Sequence, residues 1–178
     1  MSTPVITGVD GISAAGMQPV FIIQETALTG ITSSTASIPL SAVTGGVKAD
    51  CFYDFGGLEL SREPKTRERQ RACEKAIKAV KIGQTITGAL TIVWDQQAAS
   101  DAVINQVYSA LPEDENVYLF IANGWDSEKA PDATTKGDLW RVEVTQMDHL
   151  IATSADEDLM AKATLNGDLF IPNITLTA

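Results

Sequence analysis

Short β-branched and aromatic runs recur along the chain, with polar residues and turn formers between them. Val20-Phe21-Ile22-Ile23, Thr85 to Trp94, Val117 to Ala122, Leu139 to Gln146 and Leu169 to Leu176 each read as a strand. Branched and aromatic side chains fit a pleated, half-buried surface. Gly45-Gly46, Gly56-Gly57, Gly83, Gly88, Asn123-Gly124 and Asn166-Gly167 punctuate these runs. Asn166-Gly167 lies between Met160–Leu165 and Asp168–Ile171. That predicts a hairpin, since a type I′ turn needs positive φ at both central residues.

One stretch has helical spacing. Val103, Ile104, Val107, Tyr108 and Leu111 fall on one face, Ser100 or Asp101 can cap the start, and Pro112 stops the end. Residues 66–81 read two ways. As a helix, Ala72, Cys73, Ala76, Ile77 and Val80 form an apolar stripe; as a strand, Lys65, Arg67, Arg69 and Arg71 share one face at period two. The abundance of Ala, Glu, Lys and Arg tips the pattern towards helix. Thr29 to Thr44 is rich in Ser and Thr, with Pro39 inside it, and reads as a loop or mobile arm. One helix among many strands predicts an all-β to α+β domain with the helix packed on a sheet. A length of 178 residues suits one domain over 1–178, with 1–44 as an N-terminal arm or loop region.

Composition sharpens this. Hydrophobic residues make up 44% and charged ones 20%, which supports a core and argues against disorder. The net charge of −10 argues against a surface that holds nucleic acid by neutralising phosphates, though not against one that lets it pass. The charge is uneven. Eight of the thirteen basic residues lie between Arg62 and Lys81, while from Asp101 onward fourteen acids face four bases. Glu63, Glu68 and Glu74 interleave the basic run, so Arg67, Arg69 and Arg71 read as a salt-bridge seam between subunits rather than a nucleic-acid site. The acid candidates on the neighbouring subunit are Glu113, Asp114 and Glu115, or Asp156, Glu157 and Asp158. The start of the chain lacks a secretory pattern and its apolar stretches are too short to span a bilayer, so a cytoplasmic protein with no membrane partner is expected.

Chemistry finds little support. The single histidine, His149, follows Asp148, but adjacent strand residues point to opposite faces, so a base with that orienter is poorly built. Cys51 and Cys73 are too few for a disulfide scaffold, lack metal-ligand spacing and read as small core residues. Asp126, Glu128, Asp132 and Asp138 do not match a helix-loop-helix calcium pattern. Trp125 and Trp140 read as core or interface residues; the rival reading makes them the platform of a carbohydrate-binding β-sandwich. No catalytic residue, cofactor or metal is expected.

The stretch from Ser37 to Gln97 resembles the major tail proteins of siphophages, especially those infecting actinobacteria. The residues that carry it are Ile38-Pro39-Leu40-Ser41-Ala42-Val43-Thr44-Gly45-Gly46-Val47, Leu58 to Ser61, Arg67-Glu68-Arg69-Gln70-Arg71-Ala72-Cys73-Glu74, and Gly83 to Asp95. The order of the remaining elements also fits: helix, strand, Gly-Asp-rich loop and paired C-terminal strands. The resemblance implies a β-sandwich or half-open barrel of antiparallel strands with one flanking helix, and moves 66–73 towards strand. It further implies a virion protein, assembled in the host cytoplasm and built into the tail tube. Copies would form hexameric rings stacked around a lumen, with tape measure and terminator proteins as partners and viral double-stranded DNA as passing cargo. A tail terminator or head-tail connector is the close alternative.

Overall fold

The computed structural model describes residues 16–70, 73, 75–154 and 157–178. Arg71 and Asp156 of the expected seam, and residues 1–15 of the expected arm, lie outside them. The strands are β1 (Val20–Gln24), β2 (Ser37–Pro39), β3 (Val47–Lys48), β4 (Leu58–Arg69), β5 (Lys78–Val93), β6 (Asn116–Ile121), β7 (Lys136–His149) and β8 (Met160–Thr177). A short helix, α1 (Leu40–Thr44), precedes β3. A second, α2 (Gln106–Ser109), continues a 3-10 turn over Val103–Asn105. The strands form one sheet in the order β3-β1-β6-β7-β8-β5-β4, antiparallel along that path, while β2 pairs in parallel with the end of β8.

β1 and β6 are apolar at consecutive positions because both of their faces are buried. Val20, Ile22, Val117, Leu119 and Ile121 enter one cluster; Phe21, Ile23, Tyr118 and Phe120 enter another. The first cluster also takes Ile86, Leu90 and Ile92 of β5, with Leu58 and Leu60 of β4 packed against it. Strands from both ends of the sheet order therefore share one core, so the sheet curls around it. The segment between β3 and β4 bridges the gap: Val93 N–H donates to Phe52 O at 2.8 Å and Thr91 N–H to Gly57 O at 2.8 Å. The result is the expected half-open antiparallel barrel. Val107, Ala110 and Leu111 of the α2 region pack into the same core. The second cluster lies on the outer face under Leu28, Ile38, Ala42 and Val43. Each Leu, Ile or Val side chain among these, fully buried, contributes about 1.5–3 kcal/mol.

Four expectations are corrected. Asn166-Gly167 is not a turn: β8 runs straight through it. Arg141 pairs with Leu169 and Val142 with Gly167, which leaves Asp168 as the extra residue of a β-bulge. The bulge aims Asp168 at Arg141, whose Nη1 lies 3.2 Å from Oδ2. Gly167 is needed for close approach, since a Cβ there would sit 2.4 Å from the Arg141 carbonyl oxygen. Gly167→Ala should therefore cost about 1–3 kcal/mol by overpacking; a thermal melt unchanged from the parent would reject this account of the bulge.

The segment Thr29 to Thr44 is not wholly a loop, because Ser37–Pro39 forms β2 and Leu40–Thr44 forms α1, with Ile38, Ala42 and Val43 buried. The helix is shorter than its pattern. Val103 and Ile104 are exposed, and neither Ser100 nor Asp101 caps it; Ala102 stands at the start of the 3-10 turn without a side-chain hydrogen bond. Cys51 and Cys73 are exposed rather than core residues.

Candidate assembly interface

The helix that the residue pattern favours over 66–81 is corrected: residues 66–69 and 78–81 are strand, while Ala72 of the expected stripe lies outside the described residues. β4 and β5 form a hairpin whose register runs from Leu58↔Leu90 to Arg69↔Lys78. β8 supports β5 only from Ile86 to Val93. Beyond Ile86 the hairpin continues as a two-stranded arm, with no further strand of the described residues beside it. Two strands alone are marginal in water, and every described residue from Ser61 to Gln70 is exposed. No core face forms here, so the apolar period that distinguishes helix from strand is missing.

The arm carries charge on a regular plan. Arg67 pairs with Val80 and Arg69 with Lys78, so these four share one face. Among the described residues, neither Arg67 nor Arg69 has an ion-pair partner. The arm also exposes apolar side chains: Ile77 is 61% and Ile82 60% exposed. β4 is an edge strand, and it contains Pro64, several charges and a register shift between Lys65 and Thr66. These devices discourage indiscriminate edge pairing.

The acid candidates lie elsewhere. Glu157 and Asp158 sit in the turn between β7 and β8, which meets β5 at its opposite end: Val93 pairs with Met160, and Trp94 N–H donates to Leu159 O at 3.1 Å. Thr153 N–H donates to Glu157 Oε2 at 2.6 Å and its hydroxyl to Oε1 at 3.0 Å. These bonds hold the Glu157 carboxyl below the usual carboxylate range, so it stays charged at neutral pH. Leu150, Ile151 and Leu159 are exposed on the same turn. Glu113, Asp114 and Glu115 lie beside the second half of β7. Glu113 Oε1 accepts from Met147 N–H at 2.6 Å, and Asp114 N–H donates to Val144 O at 2.7 Å. Among the described residues of one chain, Arg67 and Arg69 do not pair with Glu157 or Asp158. Arg67 lies opposite Val80, thirteen positions along β5 from Val93, a distance of roughly 40 Å at a rise of about 3.3 Å per residue.

The rival chemistries are dispersed by the fold. His149 engages Tyr108 and Trp94 rather than Asp148: Tyr108 Oη lies 3.0 Å from its Nε2, and its ring stacks on Trp94 at a centroid distance of 4.0 Å. Asp148 accepts from Gln146 Nε2 at 2.7 Å. Trp125 packs against the outer cluster and Trp140 against the inner one, so the two cannot form one platform. Among the described residues, no group of three or more His, Cys, Asp or Glu side chains is placed to hold a metal. No helix of the described residues is long and apolar enough to cross a membrane.

The aromatic group of Trp94, Tyr108 and His149 escaped sequence reasoning because its members come from three separate elements. The exposed Ile77 was readable only as a member of a helical stripe, and Ile82 was not singled out. No curated protein matches the chain. A match to the phage tail tube protein family runs over residues 13–167. A half-open barrel with an unsupported basic arm at one end and an acidic turn at the other, matched over most of its length, belongs to the phage tail tube protein family and is a structural component of the virion tail.

Proposed function

We infer that this chain polymerises into the tail tube of a siphophage as hexameric rings stacked around a lumen. Viral double-stranded DNA passes through that lumen, and the subunit performs no chemical step. One observation carries this reading: the β4–β5 arm. It leaves its own subunit, bears Arg67 and Arg69 without partners among the described residues, and points away from the acid-bearing turn at 150–159. A contact between the two ends of different copies is head-to-tail, so it propagates instead of closing. Arg67, Arg69 and Arg71 on one copy meet Glu157 and Asp158, with Asp156, on the next; Glu113, Asp114 and Glu115 flank that surface. A chain of net charge −10 leaves surplus acids for the lumen, and an acidic wall repels the duplex, which carries about one charge per 1.7 Å, so DNA slides without sticking. The subunit is assembled in the host cytoplasm, with tape measure and terminator proteins as its tail partners.

End-on averages of assembled particles in the electron microscope test the ring. Sixfold symmetry around an open channel is expected. A different symmetry would overturn the hexamer, and single rings that never stack would favour a terminator or connector.

A further inference from the structure

A cleft of about 570 Å3 opens where β5 ends. Trp94, Tyr108, Leu111, Pro112, Met147 and His149 line it. Its aromatic wall is preformed: Trp94 stacks on Tyr108 at 5.0 Å and on His149 at 4.0 Å. Asn105 fixes the neighbouring loop, because its side chain bonds Asp95 N–H at 2.9 Å and the Asp95 and Ala99 carbonyls at 2.8 and 3.1 Å. Asp95 and Glu113 also line it. The cleft thus joins an aromatic wall to two acids, and exposed Leu159 lies next to Trp94 through their backbone hydrogen bond.

An exposed apolar side chain lies at the other end of the same strand. Ile77, 61% exposed, directly precedes β5, and Lys75 and Lys81 lie near it in sequence. We propose that Ile77 of one copy seats in the Trp94–Tyr108–His149 cleft of the next copy, with the basic arm against Asp95 and Glu113. This rests on the tube reading and names the docking site within it. The occupant comes from another copy for a geometric reason. β5 is 16 residues long, so knob and cleft of one chain are held about 50 Å apart by an extended strand. Apolar inside apolar and base against acid give the contact its direction and register. Because knob and cleft sit at the two ends of one strand, each docked copy presents a new free cleft, and the spacing of successive copies along the tube is at most about 50 Å.

A complementary pair of variants tests this. Ile77→Asp destroys the knob and keeps the cleft; Gln96→Trp fills the cleft from an exposed lining position and keeps the knob. Both positions are exposed, so circular dichroism should match the parent. Purified separately, neither variant should polymerise. Mixed in equal amounts, they should sediment at twice the mass of either alone and no further. A mixture that sediments as its separate components, or either variant forming polymers alone, overturns the docking. If the unmodified chain forms tubes while the mixture does not pair, only the docking falls. If the unmodified chain forms neither tubes nor rings and the mixture does not pair, both readings fall. A second measurement stands apart from either substitution. In a Cys51→Ala chain, Gln96→Cys should join the exposed Cys73 of a neighbouring copy on oxidation and give a ladder of disulfide-linked multimers. Absence of that ladder in assembled material would also overturn the proposal.

Discussion

Replacing Arg67 and Arg69 together by Glu is expected to leave a folded, β-rich chain that no longer polymerises. Both side chains are exposed, and among the described residues neither has an ion-pair partner. Surface substitutions away from special features usually change stability by no more than about 0.5 kcal/mol. The fold therefore has little to lose. The assembly has more: each exposed pair contributes only about 0–1 kcal/mol, but in the proposed tube the contact repeats with every copy, and like charges brought together repel. Salt should act in the same direction on the unmodified chain, since the Debye length falls from about 8 Å at physiological ionic strength to about 3 Å at 1 M. Sedimentation and circular dichroism read the two halves of the expectation. Tubes of normal diameter and length from the double variant would reduce the arm's charge to a solvated face.

Ile38→Ala should give the largest loss of stability. Ile38 is fully buried in the outer cluster, and its strand pairs in parallel with the end of β8 through Ser37↔Thr175, Ile38↔Leu176 and Pro39↔Thr177. Truncating a buried Ile to Ala costs about 2–5 kcal/mol. For a chain of this size each kcal/mol lowers Tm by about 2–4 °C, so a fall on the order of 10 °C is expected. The same packing revises the reading of the whole of 29–44 as a loop or mobile arm. Residues 37–44 form β2 and α1 within a single chain, so their amides should resist hydrogen exchange before any tube exists. An unchanged melt, together with fast exchange over 37–44, would place this segment off the core.

The sequence was most legible where burial was complete. β1 and β6 are read correctly from Val20 to Ile23 and from Val117 to Ala122 because strands buried on both faces are continuously apolar. Legibility fell where the usual meaning of a residue was displaced by its neighbours. Asn166-Gly167 has the chemistry of a turn, yet β5 and β7 both hold β8 at that point, and Gly167 answers to the approach of Arg141 instead. Val103 and Ile104 continue a helical stripe that the fold leaves in water. The arm was hardest of all. Its residues are good helix formers, and no core within the subunit imposes a strand period on them. Period-two placement of Arg67 and Arg69 was the one correct local signal, and the family resemblance was needed to prefer it. The acid candidates were found by charge counting, but their position at the far end of β5 is set only by register. The cleft beside them was invisible because Trp94, Tyr108 and His149 are far apart in sequence.

In the proposed tube the arm of one copy contacts the acid-bearing end of the next. The most direct measurement is a side-chain-resolution electron-microscopy reconstruction of the assembled protein. The expected result places Arg67 and Arg69 of each copy within salt-bridge distance of Glu157 or Asp158 of a copy in the adjacent ring, at an axial spacing of at most about 50 Å. A reconstruction in which the β4–β5 arm projects into solvent, with the rings held by other surfaces, would contradict it.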